Sequence, residues 1–536
     1  MLVVSFIIFA SFAINSLSAI SDDGTLVKIE SGLIRGRIRQ SETGKNYWAF
    51  QEIPYAAPPL GENRFQLPQS PKPWSDVLNT TKNTKICYQQ RSRYSYLQIS
   101  EDCLYINVYT PVKPGSNQSL PVILWIHGGG FVSESGIYEY YGPKYIMDHG
   151  VVVVSFNYRL GPFGFLATDD GVIPPSVGME DQIFAMKWVQ RNIQQFGGDR
   201  NHVTIQGESA GSAAVGQHLL GPWKGEQLFH AAIMQSGAPL MGSPIPKNFT
   251  TIVESLAKEI DPTFSPNNTT DLLKFLQKAD AKDITKQDIR QMSFNKPLNL
   301  QHLLDGNYKK VPVIIGFNSE ETIFQLASLT TEILKQADDN PASLISDGMY
   351  MSEENRKIAG NKMKAVYTNN GSFVDHPGAF VRHSSDQSFT IPACKTVEIC
   401  SKDVPYYLYQ FAYKGPLGGQ MSLPYSNETG RVGHAEDLHY MWEEKGTNSD
   451  LDKFPKEDRL MLHRYVKMWT NFAKYFNPTP EKDPFLGNVQ WLKSEPQTLR
   501  YLNINSTLEM RENPRQYREI KGILETYMEK PYDFFD

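Results

Sequence analysis

Nothing in the 536-residue chain limits its fold as much as Val203-Thr204-Ile205-Gln206-Gly207-Glu208-Ser209-Ala210-Gly211, where an apolar strand pattern meets a helix-compatible segment at one serine. A strand that reverses into a helix at a single residue forces that residue into a strained conformation, and Cβ atoms two positions to either side would collide with the turn. Gly207 and Gly211 remove them. The expected result is an elbow that lifts the Ser209 hydroxyl above a sheet. The helix that follows, expected over Ala210 to Leu220, aims its first backbone amides at the same point. Such a point suits developing negative charge, which makes Ser209 the candidate nucleophile.

A Gly-x-Ser-x-Gly string also occurs in ordinary loops, so its surroundings decide its meaning. Leu26 to Arg39 alternates around Gly32 and Gly36 as a hairpin would, and Phe50 to Gly61 reads as a proline-rich, extended surface segment. Leu120 to Ile126 and Val151 to Phe156 are near-continuous apolar runs, expected of strands buried on both faces. Asp181 to Phe196 has helical spacing and stops at Gly197-Gly198. Val203 to Gln206, His230 to Gln235, Val311 to Phe317 and Tyr406 to Tyr413 read as further strands, and Glu457 to Phe476 as a long amphipathic helix. Alternating strands and helices imply an α/β fold with a mostly parallel sheet covered on both faces. Two helical, polar insertions, about Pro239 to Val311 and Phe324 to Pro405, read as a cap over an active site.

Acyl transfer needs a nucleophile, a base, an acid that orients the base, and donors for a tetrahedral oxyanion. His127-Gly128-Gly129-Gly130 follows a buried strand and bares successive N–H groups, so it reads as the oxyanion loop. The base must follow Ser209, which leaves His218, His230, His302, His376, His383, His434, His439 and His463. His434, in the turn Gly433-His434-Ala435-Glu436-Asp437, is placed to reach the site, whereas His439 and His463 read as structural. For the acid, Ile315 to Glu321 ends a strand with two carboxylates, Glu320 and Glu321.

Phe196 to Gly211 resembles throughout the serine signature of the type-B carboxylesterase and cholinesterase family of α/β-hydrolases. Glu101 to Tyr109 resembles that family's second signature, and Asn157 to Gly164 and Gln235-Ser236-Gly237 also match, within a similarity that spans about residues 25 to 530. The resemblance implies Ser209, Glu321 and His434 as the triad, in α/β-hydrolase order. It further implies Gly129, Gly130 and Ala210 as oxyanion donors, Ser236 as support for the acid, and Glu320 as a solvated neighbour. No metal or organic cofactor is required. Thr322 and Glu52 stand where the family commonly has glycine. The loop from Cys87 to Cys103 lacks the tryptophan with which cholinesterases hold a quaternary ammonium, so choline esters are not expected. Gly207-Glu208-Ser209, in place of Gly-Gln-Ser, departs from the juvenile hormone esterase pattern.

The resemblance is to insect carboxylesterases, and the expected substrate is a small to medium uncharged ester. A non-catalytic adhesion protein on the same fold would lose a triad member, which this chain keeps; a lipase would be set apart by long-chain emulsions. A formal net charge of -5, without a long basic run, excludes a field for nucleic acid. Leu2 to Ala13 is an apolar run, followed by small residues that suit cleavage after Ser18. It is shorter than the roughly 20 residues that span a bilayer, so residues 1–18 read as a secretory leader and 19–536 as one domain. Export fits Asn-x-Ser/Thr sequons at Asn79, Asn117, Asn248, Asn267, Asn268, Asn370, Asn427 and Asn505. It also fits a disulfide between Cys87 and Cys103, whose loop of about 15 residues would make the bond worth roughly 3 kcal/mol. Cys394 and Cys400 lie six apart on an expected helix, too far to bridge.

Overall fold

The computed structural model describes residues 23–221, 226–241, 248–285, 299–346, 349, 351–419 and 428–529. The expected leader, the sequon at Asn427 and the last seven residues lie outside the described residues. The chain is built on an 11-stranded sheet. Along the chain its strands are β1 (Arg37–Gln40), β2 (Asn46–Pro54), β3 (Tyr105–Thr110), β4 (Leu120–Ile126), β5 (Val152–Phe156), β6 (Gly198–Glu208), β7 (Ala231–Gln235), β8 (Val313–Asn318), β9 (Tyr406–Phe411), β10 (Tyr501–Ile504) and β11 (Leu508–Arg511). Across the sheet the order is β11, β10, β9, β8, β7, β6, β4, β5, β3, β2, β1. From β10 to β5 every neighbouring pair is parallel, and the strands at either end are antiparallel.

Burial on both faces explains the unbroken apolar runs. Along β4, Val122, Leu124 and Ile126 enter one core, with Trp188 and Val189 of α1 (Val177–Asn192) and Ala214 and Leu219 of α2 (Ala210–Leu220). Ile123 and Trp125 enter the other, with Tyr465 and Trp469 of α3 (Lys456–Tyr475). Period-two side-chain alternation thus feeds two helical layers from one strand. This is the α/β-hydrolase arrangement. Among the described residues, no helix is long and apolar enough to cross a membrane.

The two insertions are helical, at Phe249–Ile260 and Thr269–Lys278 in the first and at Thr331–Asp339, Glu353–Thr368, Pro377–Ser385 and Ile391–Cys400 in the second. Their polar residues include the caps that start these helices: Asn248 accepts from Thr251 N, Asn268 from Asp271 N, and Ser352 from Asn355 N. Cys394 and Cys400 are both free and buried. Cys87 and Cys103 form a disulfide.

One expectation is corrected. Phe50 to Gly61 is not a surface segment as a whole, because Phe50 to Pro54 completes β2, and Phe50, Gln51, Ile53 and Tyr55 are fully buried. Its prolines begin only at Pro54, where the strand ends, so they terminate the element rather than prevent it.

Candidate active site

The neighbouring strands β4 and β6 end side by side, and each delivers part of one site. Beyond β6, Ser209 takes φ 56° and ψ −124° at the start of α2, and its N–H donates to Gln235 O at 2.9 Å. A Cβ on Gly207 would lie 2.4 Å from the Gly211 carbonyl carbon, and one on Gly211 2.1 Å from Ile126 O. The elbow therefore requires glycine at both positions. Beyond β4, Gly129 and Gly130 have φ of 92° and 60°, and both line the cleft that holds Ser209. Ala210 is the first residue of α2, whose free amides face the same point. His127 anchors this loop: its ring stacks on Tyr158 at 4.4 Å, and the Tyr158 hydroxyl donates to its carbonyl at 2.8 Å. Burial lowers its pKa to about 4, so it is neutral.

Glu321 follows β8 and is 1% exposed. Its Oε1 accepts from Asn318 N at 2.6 Å, and its Oε2 lies 2.7 Å from His434 Nδ1. The His434 N–H donates to Glu321 O at 3.0 Å, so backbone and side chain hold the pair together. With Nδ1 committed, Nε2 is the nitrogen left for the cleft that His434 shares with Ser209. The ring also packs on Phe389, at 4.9 Å between centroids, a contact from the second insertion. Burial pushes the imidazolium down, but the carboxylates of Glu208 and Glu321 outweigh it and raise His434 to about 9.

This geometry can perform acyl transfer. The model of the carboxylesterase family matches residues 23–519. The chain belongs to the carboxylesterase family. This carboxylesterase is 33% identical over 540 residues to a juvenile hormone esterase of Tribolium castaneum, across 92% of the chain and 91% of that protein. It is 32% identical to esterase FE4 of Myzus persicae, across 85% of each. Among solved structures it is similar to juvenile hormone esterase from Manduca sexta with OTFP covalently attached, with a TM-score of 0.78, 27% identity and coverage of 94% and 99%. It is a serine carboxylesterase, and the departure at Glu208 does not remove it from the neighbourhood of juvenile hormone esterases.

Several residues of the carboxylesterase stand otherwise than expected. Glu320 is not solvated: it is 1% exposed, accepts from Gly430 N at 2.8 Å, and pairs with Arg515 at 3.3 Å. Arg515 also pairs with Asp386 and donates to Ser319 O, so Glu320 belongs to a buried charge network behind the acid. Ser236 is fully buried, and its hydroxyl has no hydrogen-bond partner. Glu321 is instead steadied by the backbone N–H of Asn318, whose Nδ2 donates to Gly433 O at 2.8 Å and to Asp437 Oδ1 at 3.1 Å. Asp437, fully buried, also accepts from Gln235 and Tyr465, each at 2.8 Å. His439 and His463, read as structural, lie 3.3 and 3.4 Å from the carboxylates of Glu444 and Glu42.

Both departures from glycine are accommodated. Glu52 has φ 62°, the conformation that favours glycine, and its carboxylate accepts from Thr84 and from Lys85 N. Thr322 has an ordinary φ of −96° and donates to Val381 O at 3.0 Å. The group that sequence reasoning did not use is Glu208. It is 3% exposed, and Oε1 lies 3.2 Å from His434 Nε2 without making a hydrogen bond. Burial raises its carboxyl to about 8. The signal was its position, one residue before a serine whose side chain had to share its cleft.

Proposed function

We propose that the chain is a secreted carboxylic-ester hydrolase that works through an acyl-enzyme on small to medium uncharged esters. Ser209 attacks the ester carbonyl while His434 takes its proton, Glu321 holds the imidazole and stabilises its cation, and Gly129, Gly130 and Ala210 bind the oxyanion. His434 then protonates the leaving alcohol, and water repeats the cycle on the acyl-serine. The observation that carries this reading is the 2.7 Å contact of His434 with Glu321, beside a serine held at φ 56° in the same cleft. In this proposal residues 1–18 are a cleaved leader and the rest is one domain.

The test is stoichiometric labelling by an organophosphate. Wild type should bind one equivalent on Ser209 and lose aryl-ester hydrolysis. Ser209→Ala should bind none and be inactive, yet still be exported. One equivalent on the alanine variant, at another residue, would overturn the assignment. A second reading, juvenile hormone as the natural ester, is favoured by the relatives' names and opposed by Glu208. The same preparation distinguishes them: juvenile hormone cleaved at far lower concentration than a simple aryl ester supports the second.

A further inference from the structure

The Cys87–Cys103 loop brings Arg93 to the cleft that holds Ser209 and His434. Arg93 reaches both walls. Nη2 donates to Glu134 Oε1, beyond the oxyanion glycines, and Nη1 donates to Glu444 Oε1 at 2.8 Å, beyond His434. The guanidinium lies 4.9 Å from the centre of the Tyr140 ring. The loop is fastened beside it: Gln89 exchanges two hydrogen bonds with the backbone of Glu134, at 2.8 and 3.0 Å, and the Tyr94 hydroxyl donates to Lys445 O at 2.9 Å.

The cleft holds about 360 Å³, and its walls include Tyr140, Tyr141 and Trp442 beside Glu134 and Glu444. In the reading above, on which this inference rests, His434 gives its proton to the leaving alcohol. The alcohol part therefore lies on the His434 side, which this cleft occupies. Aromatic rings beside two carboxylates would attract an organic cation there. Arg93 opposes that attraction, because it sits between both carboxylates and in front of the Tyr140 ring. It is half-exposed, so its pairs are worth little to stability, and their larger effect is on what can enter.

We propose that Arg93 sets the alcohol specificity of this esterase: by pairing Glu134 and Glu444 it makes the subsite one for uncharged groups, and its loss turns the subsite toward quaternary ammonium alcohols. The comparison that isolates charge from shape is a choline ester against the 3,3-dimethylbutyl ester of the same acid, in which carbon replaces the ammonium nitrogen. At pH 9, where His434 is neutral enough to act, and at low salt, Arg93→Ala should raise the choline to dimethylbutyl ratio of kcat/KM by about tenfold or more, and added salt should shrink that gain. Arg93→Lys should keep the wild-type ratio. Arg93→Ala with Glu134→Gln and Glu444→Gln should return it toward wild type. If Arg93→Ala is not recovered folded, Arg93→Gln carries the same expectation. A ratio unchanged in the neutral variant, or raised equally in the triple variant, overturns the inference. Failure of wild type to cleave either ester would instead overturn the ester-hydrolase reading.

Discussion

Glu208 and His434 meet at 3.2 Å, and the charge on one governs the proton on the other. In the proposed mechanism His434 serves as a base only when neutral, so kcat/KM should fall as pH drops through its pKa. Glu208 and Glu321 raise that pKa to about 9, so activity should be lost on acidification well above the roughly 6.5 of a free imidazole. Glu208→Gln preserves the side chain's shape but removes its charge, and should move the acid limb of the pH–rate profile for an uncharged aryl ester toward lower pH. An unmoved limb would mean that Glu208 does not act on the base. Ser209, Glu321 and His434 could be proposed from sequence because acyl transfer demands those residue types in turns that follow strands. The environment of Glu320 could not. Its burial depends on Arg515, 195 residues further along, and no local pattern encodes that pairing. Likewise, nothing near Ser236 announces that Asn318 and Asp437 hold the acid's neighbourhood instead.

Among the elements, α2 and β4 have the bounds that sequence suggested, since glycines and unbroken apolar runs mark their ends. No part of β2 is expected from sequence: Asn46 to Ala49 carries no reading, and Pro54, Pro58 and Pro59 mask the strand pattern of Phe50 to Ile53. α1 starts at Val177, four residues ahead of Asp181, since its first turn contains Gly178 and lacks a strong apolar stripe. α2 packs tightly against β4 at Gly211. Gly211→Ala would gain up to about 1 kcal/mol of helix propensity. Against this, its Cβ would stand 2.1 Å from Ile126 O, and backbone cannot yield as a side chain does. Overpacking of cores costs about 1–3 kcal/mol, so the clash should win. We expect a lower thermal midpoint and less than about a tenth of the aryl-ester rate, since the shift displaces the Ser209 turn. A variant that melts and turns over like wild type would contradict this account of the elbow.

For the whole molecule, the proposed route through an oxidising compartment fits the Cys87–Cys103 bond and sequons at the surface. Asn79, Asn117, Asn248, Asn267, Asn268 and Asn370 are exposed, whereas Asn505 is half-buried. Protein recovered from culture medium should begin at Ala19 and lose mass on treatment with an N-glycosidase; an intact Met1, or unchanged mass, would count against export by this leader. The pair Arg93 and Glu444 joins residues 351 apart, and the elbow, the acid and the base are similarly scattered. A chain made from its N-terminus therefore completes the elbow before Glu321, and Glu321 before His434. Contacts of such long separation form late. During synthesis, the onset of ester cleavage should thus report closure of the entire chain, so that nascent fragments bearing the elbow are inert precursors.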